Sequence, residues 1–229
     1  GRPHISYHDW GGCLKYAYHD GTAWQLETVA CGSGWYGLTT SLALDPQDRA
    51  RISYCACWPT DDLRYAWNDN DGSGWHTELV DPVDGLNSSL ALDAAGSPHI
   101  SYYDEASYDL RYAWHDGTAW HIEVADGQGK VGNDSSLALD AHDRTHISYF
   151  DETHYALRYG YFDGAAWSTE TVDDGNDTDR KGMNTSLALD ALGRPHISYG
   201  AVRVPEGSYL RYAHLIELPY AVFLPMVVR

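Results

Sequence analysis

The chain has 229 residues, with 33 acidic and 15 basic side chains and a formal net charge of −18. A surplus of acidic groups this large repels phosphate backbones, so nucleic acid is not expected as a partner. The longest apolar stretch, residues 220–228, contains Pro225 and is too short to span a bilayer, so no membrane span is expected. An apolar content of 43%, with 13% aromatic residues, predicts a packed core rather than disorder.

Five near-copies of one sequence unit fill the chain. An Ile-Ser-Tyr triplet recurs every 47 to 50 residues, starting at Ile5, Ile52, Ile100, Ile147 and Ile197. A Leu-Arg-Tyr or Leu-Lys-Tyr motif follows each triplet, and four copies then continue with Trp-x-x-Glu. Ser-Leu-Ala-Leu-Asp also occurs four times. Repeats of this length indicate one supersecondary unit per copy, and the copies cover residues 1–40, 41–88, 89–135, 136–185 and 186–229.

Each copy contains four short segments of strand-like composition, separated by Gly, Asp, Asn and Pro. Asp-Gly pairs, such as Asp20-Gly21, mark a hairpin between the third and fourth segments. No stretch combines a helical period with capping residues. Four antiparallel strands per ~47 residues are typical of a propeller blade. The sequence therefore predicts one all-β domain over residues 1–229, a five-bladed β-propeller of four-stranded antiparallel blades.

The two ends of the chain break the repeat. The chain begins with Gly-Arg-Pro-His, which matches residues 193–196 in the middle of a copy, so the first blade is expected to lack its own inner strand. The sequence starts without an initiator Met or a signal peptide, which predicts N-terminal truncation. For the apolar tail, residues 219–229, three roles remain open. The tail could form the outer strand of the fifth blade, close the ring as the missing strand of the first blade, or dock as a strand on an assembly partner.

The repeat resembles one found in secreted and surface proteins of bacteria and archaea. The shared motifs are Pro-His-Ile-Ser-Tyr-Tyr-Asp at residues 98–104, Leu-Lys-Tyr-Ala at 14–17, and Ser-Leu-Ala-Leu-Asp. Those repeats are similar to the sialidase-like, Asp-box-related β-propellers, and residues 20–24 and 70–75 match the Asp-box in part. The resemblance implies a propeller in an extracellular or cell-surface location. It implies no activity, because an Asp-box is a structural turn and one fold hosts many functions.

Three aspartates recur in the loops between the second and third strands, on the face where propellers usually bind ligands. Asp9, Asp104 and Asp151 begin these loops in blades one, three and four. One interpretation is a broken ring of carboxylates that holds a cation or sugar hydroxyl groups. The alternative, which we favour, is that each aspartate caps its own turn.

The loop at residues 173–179 is the richest cluster of oxygen ligands in the chain. Calcium binds six to eight such oxygens, so this loop is the candidate calcium site, although it lacks the EF-hand pattern. Apart from this candidate calcium, no cofactor is expected. A solvated acidic loop is the alternative, and we favour it. The candidate ligands are Asp173, Asp174, Asn176, Asp177 and Asp179.

All four cysteines depart from the repeat and fall in loops of blades one and two. Cys13, Cys31, Cys55 and Cys57 predict two disulfides in a chain of extracellular type. The pairing stays open, and Cys55–Cys57 is the least favourable pair because one residue separates the two cysteines. A zinc site with four Cys ligands is the rival interpretation.

Four aromatic residues depart from the repeat in the same loops: Trp10, Trp35, Tyr36 and Trp58. Exposed aromatic rings suit stacking on sugars or anchoring a protein partner. Filling space around the disulfides is the alternative. Histidine precedes Ile-Ser-Tyr in four copies, with Arg51 in the second copy, and a basic residue recurs in all five Leu-Arg-Tyr or Leu-Lys-Tyr motifs. We interpret both as structural, with Glu of Trp-x-x-Glu as the expected partner of the basic residue.

No set of residues that stands out from the repeat forms a catalytic constellation. The sequence therefore predicts a non-catalytic extracellular or cell-surface module that binds a glycan or a surface protein. Two alternatives remain: a fragment of a sialidase-like glycoside hydrolase, and a structural subunit of a surface filament or assembly.

Overall fold

The computed structural model describes residues 1–58, 60–83, 85–216 and 222–227, and every helix or strand in these ranges is a β-strand. The strands are β1 (His4–His8), β2 (Cys13–His19), β3 (Trp24–Cys31), β4 (Trp35–Leu44), β5 (Ala50–Cys57), β6 (Asp62–Asn68), β7 (Trp75–Asp81), β8 (Gly85–Leu92), β9 (Pro98–Asp104), β10 (Asp109–His115), β11 (Trp120–Asp126), β12 (Val131–Leu139), β13 (Thr145–Asp151), β14 (Ala156–Phe162), β15 (Trp167–Asp173), β16 (Asp179–Leu189), β17 (Pro195–Arg203), β18 (Gly207–Ile216) and β19 (Val222–Val227). The all-β prediction is confirmed.

The strands form five antiparallel sheets that follow the five sequence copies. Sheet 1 has three strands in the order β1-β2-β3, and sheets 2 to 5 have four strands each, β4–β7, β8–β11, β12–β15 and β16–β19. Within each sheet the strands are neighbours in chain order, as short hairpin connections require. This arrangement is compatible with a β-propeller, and none of the sheets built from the described residues is closed.

The chain divides into two compact units. Unit 1 comprises residues 1–100, 104–106 and 113–122, and unit 2 comprises residues 101–103, 107–112 and 123–229. The division falls inside sheet 3, so sheets 1 and 2 belong to unit 1 and sheets 4 and 5 to unit 2. That residues 1–229 form one domain stays a prediction.

The core of each unit comes from the repeated motifs. The Ile and Tyr of Ile-Ser-Tyr are fully buried in four copies, and the second strand is buried along its whole length in sheets 2, 3 and 4. Both faces of these sheets are therefore covered, which explains why apolar and small residues alternate without a polar face. The repeated serine bonds to a neighbouring sheet. Ser53 shares a hydrogen bond with Ser88 (2.9 Å) in unit 1, and Ser148 donates one to Thr185 (2.9 Å) in unit 2.

The hairpin register corrects the expected partner of the repeated basic residue. Pairing starts at the Asp-Gly turn, where His19 lies opposite Trp24, and this places Glu27 opposite Tyr16 instead of Lys15. Because side chains alternate between the faces of a strand, a shift of one residue moves the carboxylate to the other face. Glu27 instead accepts a hydrogen bond from the indole N–H of Trp75 (2.7 Å) in sheet 2.

The basic residues pair with aspartates. Arg158 in sheet 4 lies 3.0 Å from Asp126, and Arg211 in sheet 5 lies 2.9 Å from Asp173. Each of these aspartates also accepts a hydrogen bond from the Tyr of the Ile-Ser-Tyr motif in the same later sheet (2.6 Å). An Asp at the end of an outer strand thus ties its sheet to the Arg and Tyr of the next sheet.

The tail contributes the last strand of sheet 5. β19 pairs antiparallel with β18, with Ile216 opposite Val222 and Arg211 opposite Val227, so it is the fourth strand of the sheet formed by the fifth sequence copy. Residues 217–221 and 228–229 lie outside the described residues, so docking on a partner stays a prediction. Over the described ranges, no helix is long and apolar enough to cross a membrane.

Candidate functional site

Three loops of unit 1 carry the aromatic residues that break the repeat. The loop between β1 and β2 holds Trp10, whose side chain is completely exposed. Trp35 begins β4 and is 59% exposed, and Trp58 follows β5 and is 64% exposed. Indoles this exposed contribute little to a core.

Trp35 and Trp58 line an open cleft of about 420 Å³, which we call the aromatic cleft. The surface exposed in this cleft is almost entirely apolar. Strand pairing brings the two indoles together, because Trp35 lies opposite Cys57, the residue immediately before Trp58. The structure therefore joins two of the four aromatic residues predicted as ligand-binding.

Trp10 and Tyr36 are not among the described residues that line the cleft. Tyr36 is half-buried, and its ring centroid lies 6.3 Å from that of Tyr54. Its backbone N–H donates to the carbonyl of Gly12 (3.3 Å), and its own carbonyl lies 2.9 Å from Nδ1 of His8. Tyr36 thus fastens the β3–β4 connection to the loop that carries Trp10.

Gly34 sets the distance between the two walls of the cleft. A Cβ at this position would lie 1.4 Å from the carbonyl oxygen of Trp58, which is far inside the van der Waals limit. Only glycine lets these two backbones approach so closely. On the other wall, the Trp58 N–H donates to the carboxylate of Asp61 (2.6 Å), and Trp58 itself has a positive φ of 45°. The cleft is thus held from both sides by backbone geometry.

The disulfides support the same loops, and their pairing is the one that the sequence made least favourable. Cys13 is bonded to Cys31, its direct cross-strand neighbour in β2 and β3. Cys55 is bonded to Cys57, two positions along β5, with 5.2 Å between their Cα atoms. Alternation places positions i and i+2 of a strand on one face, which makes this short bridge accessible. No cysteine is free, so the zinc alternative is not formed.

The three predicted loop aspartates all take part in local turns. Asp9 accepts the backbone N–H groups of Gly11 (3.0 Å) and Cys13 (2.9 Å), and these bonds, with the nearby Lys15 ammonium, lower its pKa despite some desolvation. The carboxylates of Asp104 and Asp151 are almost completely buried and accept backbone N–H groups two or three residues further on. Their role as a ligand-binding ring stays a prediction.

The acidic loop of the candidate calcium site already contains its own partners. Asp173 binds Lys181 (2.8 Å) and Arg211, and Asp179 binds Arg203 (3.1 Å). The side chain of Asn176 accepts hydrogen bonds from residues 178 and 179, which folds the loop on itself. Among the described residues, no group of three or more His, Cys, Asp or Glu side chains is arranged to hold a metal ion. Calcium binding stays a prediction.

A second cavity of unit 1 gathers residues that the sequence marked only as structural. It measures about 730 Å³, and its lining includes His4, Tyr16, Glu27 and Trp75. Here the polar atoms bond to one another: His4 Nδ1 to the Tyr16 hydroxyl, and the Trp75 indole to Glu27. These residues belong to recurring motifs of different copies, and the inter-sheet register, which a single sequence does not show, brings them into one cavity.

The chain is similar to known proteins in structure but not in sequence family. No family model matches the sequence, and no curated protein matches it. Solved structures do match. A protein of unknown function from Dyadobacter fermentans is 13% identical, with a TM-score of 0.63 over 98% of this chain and 74% of that one. An ulvan lyase of polysaccharide lyase family PL25, bound to -[GlcA(1-4)Rha3S]-, is 14% identical, with a TM-score of 0.69 over 98% of this chain and 68% of that one.

A third structure is a lectin. SapL1, in complex with alpha methyl fucoside, is 13% identical, with a TM-score of 0.68 over 99% of this chain and 78% of that one. These likenesses show the fold alone. The same fold therefore serves an enzyme that acts on a polysaccharide and a protein that binds a sugar.

Proposed function

We propose that the chain is a non-catalytic, secreted or cell-surface module that binds a neutral glycan in the aromatic cleft. The observation that carries this proposal is the pair of exposed indoles of Trp35 and Trp58 facing one open apolar cleft. The apolar C–H face of a sugar ring stacks on an indole, and two indoles in one cleft offer two such surfaces.

The five sheets are, in this proposal, the blades of a five-bladed β-propeller of the sialidase-like group. The sequence motifs support this, as do hydrogen bonds that tie a repeated Ser, Trp or Asp to a neighbouring sheet, such as Ser53 to Ser88, Trp75 to Glu27 and Tyr149 to Asp126. In this arrangement the loops that carry Trp35 and Trp58 lie on the ligand face. The two disulfides support an oxidising, extracellular environment.

The net negative charge of the chain favours neutral glycans over acidic ones as ligands. The net charge of −18 opposes the approach of uronic acids and sulfated sugars, at any ionic strength low enough for long-range electrostatics to act. The sugar in the ulvan lyase structure carries such acidic groups, whereas the sugar in the SapL1 structure, a methyl fucoside, is neutral. We therefore place neutral hexoses and deoxyhexoses first among the candidate ligands.

The hydrogen bonds and ion pairs of the candidate carboxylates support binding rather than hydrolysis. Asp9 and Asp151 are held by turn N–H groups and by Lys15 or His154, and this arrangement fixes each carboxylate inside its own blade. Most glycosidases use two carboxylates that flank the scissile bond, and a carboxylate bonded within its own turn is poorly placed for that role.

The proposal is tested with a glycan array followed by titration of intrinsic tryptophan fluorescence with neutral methyl glycosides, including alpha methyl fucoside. We expect saturable binding that falls at least tenfold in Trp35→Ala and Trp58→Ala, a loss of about 1.4 kcal/mol or more. Trp24→Ala is the matched control, because Trp24 is also about half exposed but belongs to the repeat. Equal loss in all three variants, or no glycan bound at all, contradicts the proposal; capture of a protein ligand alone also contradicts it.

A further inference from the structure

An indole links consecutive sheets at three places in the chain. Each time, the Trp of Trp-x-x-Glu donates its N–H to the Glu of the preceding sheet, over 2.7 to 2.9 Å. Its ring also meets the first Tyr of the preceding sheet's third strand edge-on, with 5.2 to 5.6 Å between centroids. The three sets are Trp75 with Glu27 and Tyr16, Trp120 with Glu78 and Tyr65, and Trp167 with Glu123 and Tyr112. The Glu and Tyr of one sheet thus form half of an indole site, and the next sheet supplies the indole.

Sheet 4 presents the same half-site, but the chain has no tryptophan for it. Glu170 lies opposite Tyr159 in β15 and β14, as Glu27 lies opposite Tyr16 in sheet 1. The last tryptophan of the chain is Trp167, which belongs to sheet 4 itself. The fourth Glu–Tyr pair therefore receives no indole from the fifth sequence copy.

Backbone register shows which residue takes the place of the missing tryptophan. In sheet 4, Trp167 lies opposite Phe162, five residues after the Leu of Leu-Arg-Tyr. The equivalent residue of sheet 5 is Leu215, and it lies opposite Phe223. Phenylalanine has no N–H group, so this position cannot supply a donor for a glutamate.

A cavity of about 410 Å³ accompanies the fourth half-site, and we call it the sheet 4–5 pocket. Its surface is mostly apolar, and the cavity of about 730 Å³ in unit 1 has equivalent lining residues, with Trp75 in addition. In both cavities the His before Ile-Ser-Tyr bonds to the Tyr hydroxyl. His146, Tyr159, Tyr161 and Glu170 of the sheet 4–5 pocket correspond to His4, Tyr16, Tyr18 and Glu27 of the unit 1 cavity.

The Glu170 carboxylate lacks the donor that its counterparts have. It is more exposed than Glu27, Glu78 and Glu123, each of which accepts an indole N–H. Partial burial still raises the pKa of Glu170, and within the described residues no hydrogen bond to this carboxylate offsets that effect. A ligand that brings a flat apolar ring and one N–H donor would satisfy both the carboxylate and the apolar surface.

We propose that the sheet 4–5 pocket binds an indole ring, either as the free heterocycle or as a tryptophan side chain of a peptide. The indole N–H donates to Glu170, and the ring meets Tyr159 edge-on, as the chain's own indoles do in the three filled sites. The pocket shares no described residue with the aromatic cleft, so this site is independent of glycan binding.

The test is titration of the ¹⁵N-labelled full chain with indole and with N-acetyltryptophanamide, followed through the backbone amide resonances of residues 168–170. We expect saturable shifts at these amides, with a Kd of about 1 mM for at least one of the two ligands. Tighter binding of indole identifies the free heterocycle as the ligand, and tighter binding of the amide identifies tryptophan within a peptide. The 1-methyl derivative of each ligand keeps the ring but lacks the N–H, so it should bind at least about fivefold more weakly.

Three variants locate the ligand. Glu170→Ala should weaken binding at least about fivefold. Glu152→Ala is the matched control, because it removes an exposed carboxylate from the β13–β14 loop of the same sheet and should leave the Kd unchanged. Phe223→Trp puts an indole at the register position of Trp167, so it should fill the pocket, raise the Tm and abolish the shifts caused by added ligand.

Four results would overturn the proposal. The first is no shift at residues 168–170 with either ligand up to about 10 mM. The second is equal affinity for the 1-methyl derivatives, and the third is an unchanged Kd in Glu170→Ala. The fourth is a Phe223→Trp variant that binds the ligands as tightly as the unmodified chain, since the pocket is then not a fourth indole site.

Discussion

Trp75→Phe removes the hydrogen bond between the sheets of unit 1 and leaves most of the ring packing in place. The indole N–H of Trp75 donates to Glu27 at 2.7 Å, and the Trp75 ring meets Tyr16 edge-on with 5.2 Å between centroids. Phenylalanine keeps an aromatic ring against Tyr16 but has no donor for the carboxylate. The perturbation is therefore close to the deletion of one charge-assisted hydrogen bond.

The magnitude follows from the partial exposure of both partners. Hydrogen bonds to charged groups contribute about 1.5–3 kcal/mol, and we expect the lower end because water in the adjoining cavity can solvate the released Glu27 carboxylate. A loss of about 1.5 kcal/mol lowers the Tm of a chain of this size by about 3–6 °C. Urea unfolding followed by circular dichroism, together with calorimetry, measures both quantities.

Two comparisons make this prediction refutable. Trp24→Phe changes the same motif residue in the first copy, where no indole-to-glutamate bond is found within the described part of the chain, and it should cost less than about 0.5 kcal/mol. A double-mutant cycle of Trp75→Phe with Glu27→Gln should show coupling of about 1 kcal/mol. If Trp24→Phe destabilises as much as Trp75→Phe, or the coupling is absent, the inter-sheet bond does not have the role we assign to it.

Three further predictions concern pH, the disulfides and the cleft. Burial of the Asp140 carboxyl raises its pKa, but hydrogen bonds from the Arg144 side chain and from turn N–H groups outweigh burial and hold the pKa at about 2. Ionised Asp140 thus stabilises the fold above about pH 4, and this contribution falls as the pH drops towards 2, so Asp140→Asn should flatten the pH dependence of urea unfolding between these values. Replacing Cys13 and Cys31 by Ala opens a loop with a sequence separation of 18 residues and should cost about 3 kcal/mol in chemical denaturation. Gly34→Ala should force the walls of the aromatic cleft apart and abolish glycan binding in fluorescence titrations, at a cost of about 1–3 kcal/mol in stability.

The sheets could be predicted from the sequence because turn chemistry and repetition agree. Asp-Gly hairpins, the Ile-Ser-Tyr strand and the Ser-Leu-Ala-Leu strand each occur at the same spacing in several copies, so each copy supports the others. The partner of the repeated basic residue could not be predicted. The register set by the Asp-Gly turn places Glu27 opposite Tyr16, one residue away from Lys15. The partner of Glu27 is Trp75, which lies in another sheet.

The sequence marks Trp35 and Trp58 because they depart from the repeat, but it does not show that they meet. Their meeting depends on Gly34. Its requirement for glycine comes from the carbonyl of Trp58 in the opposing loop, a contact that no local pattern reports. Spacing in the sequence makes Cys55–Cys57 the least favourable pair for a similar reason, because separation by one residue does not show that both side chains lie on the same face of a strand.

Fluorine NMR can locate the glycan site directly, because each tryptophan of the aromatic cleft reports on its own surroundings. Protein labelled with 5-fluorotryptophan has one resonance for each of its nine tryptophans, assigned by single Trp→Phe variants. On titration with the neutral methyl glycosides, we expect the resonances of Trp35 and Trp58 to shift together with a single Kd while that of Trp24 stays in place. Shifts confined to tryptophans outside the cleft, or the absence of any shift at Trp35 and Trp58, would contradict it.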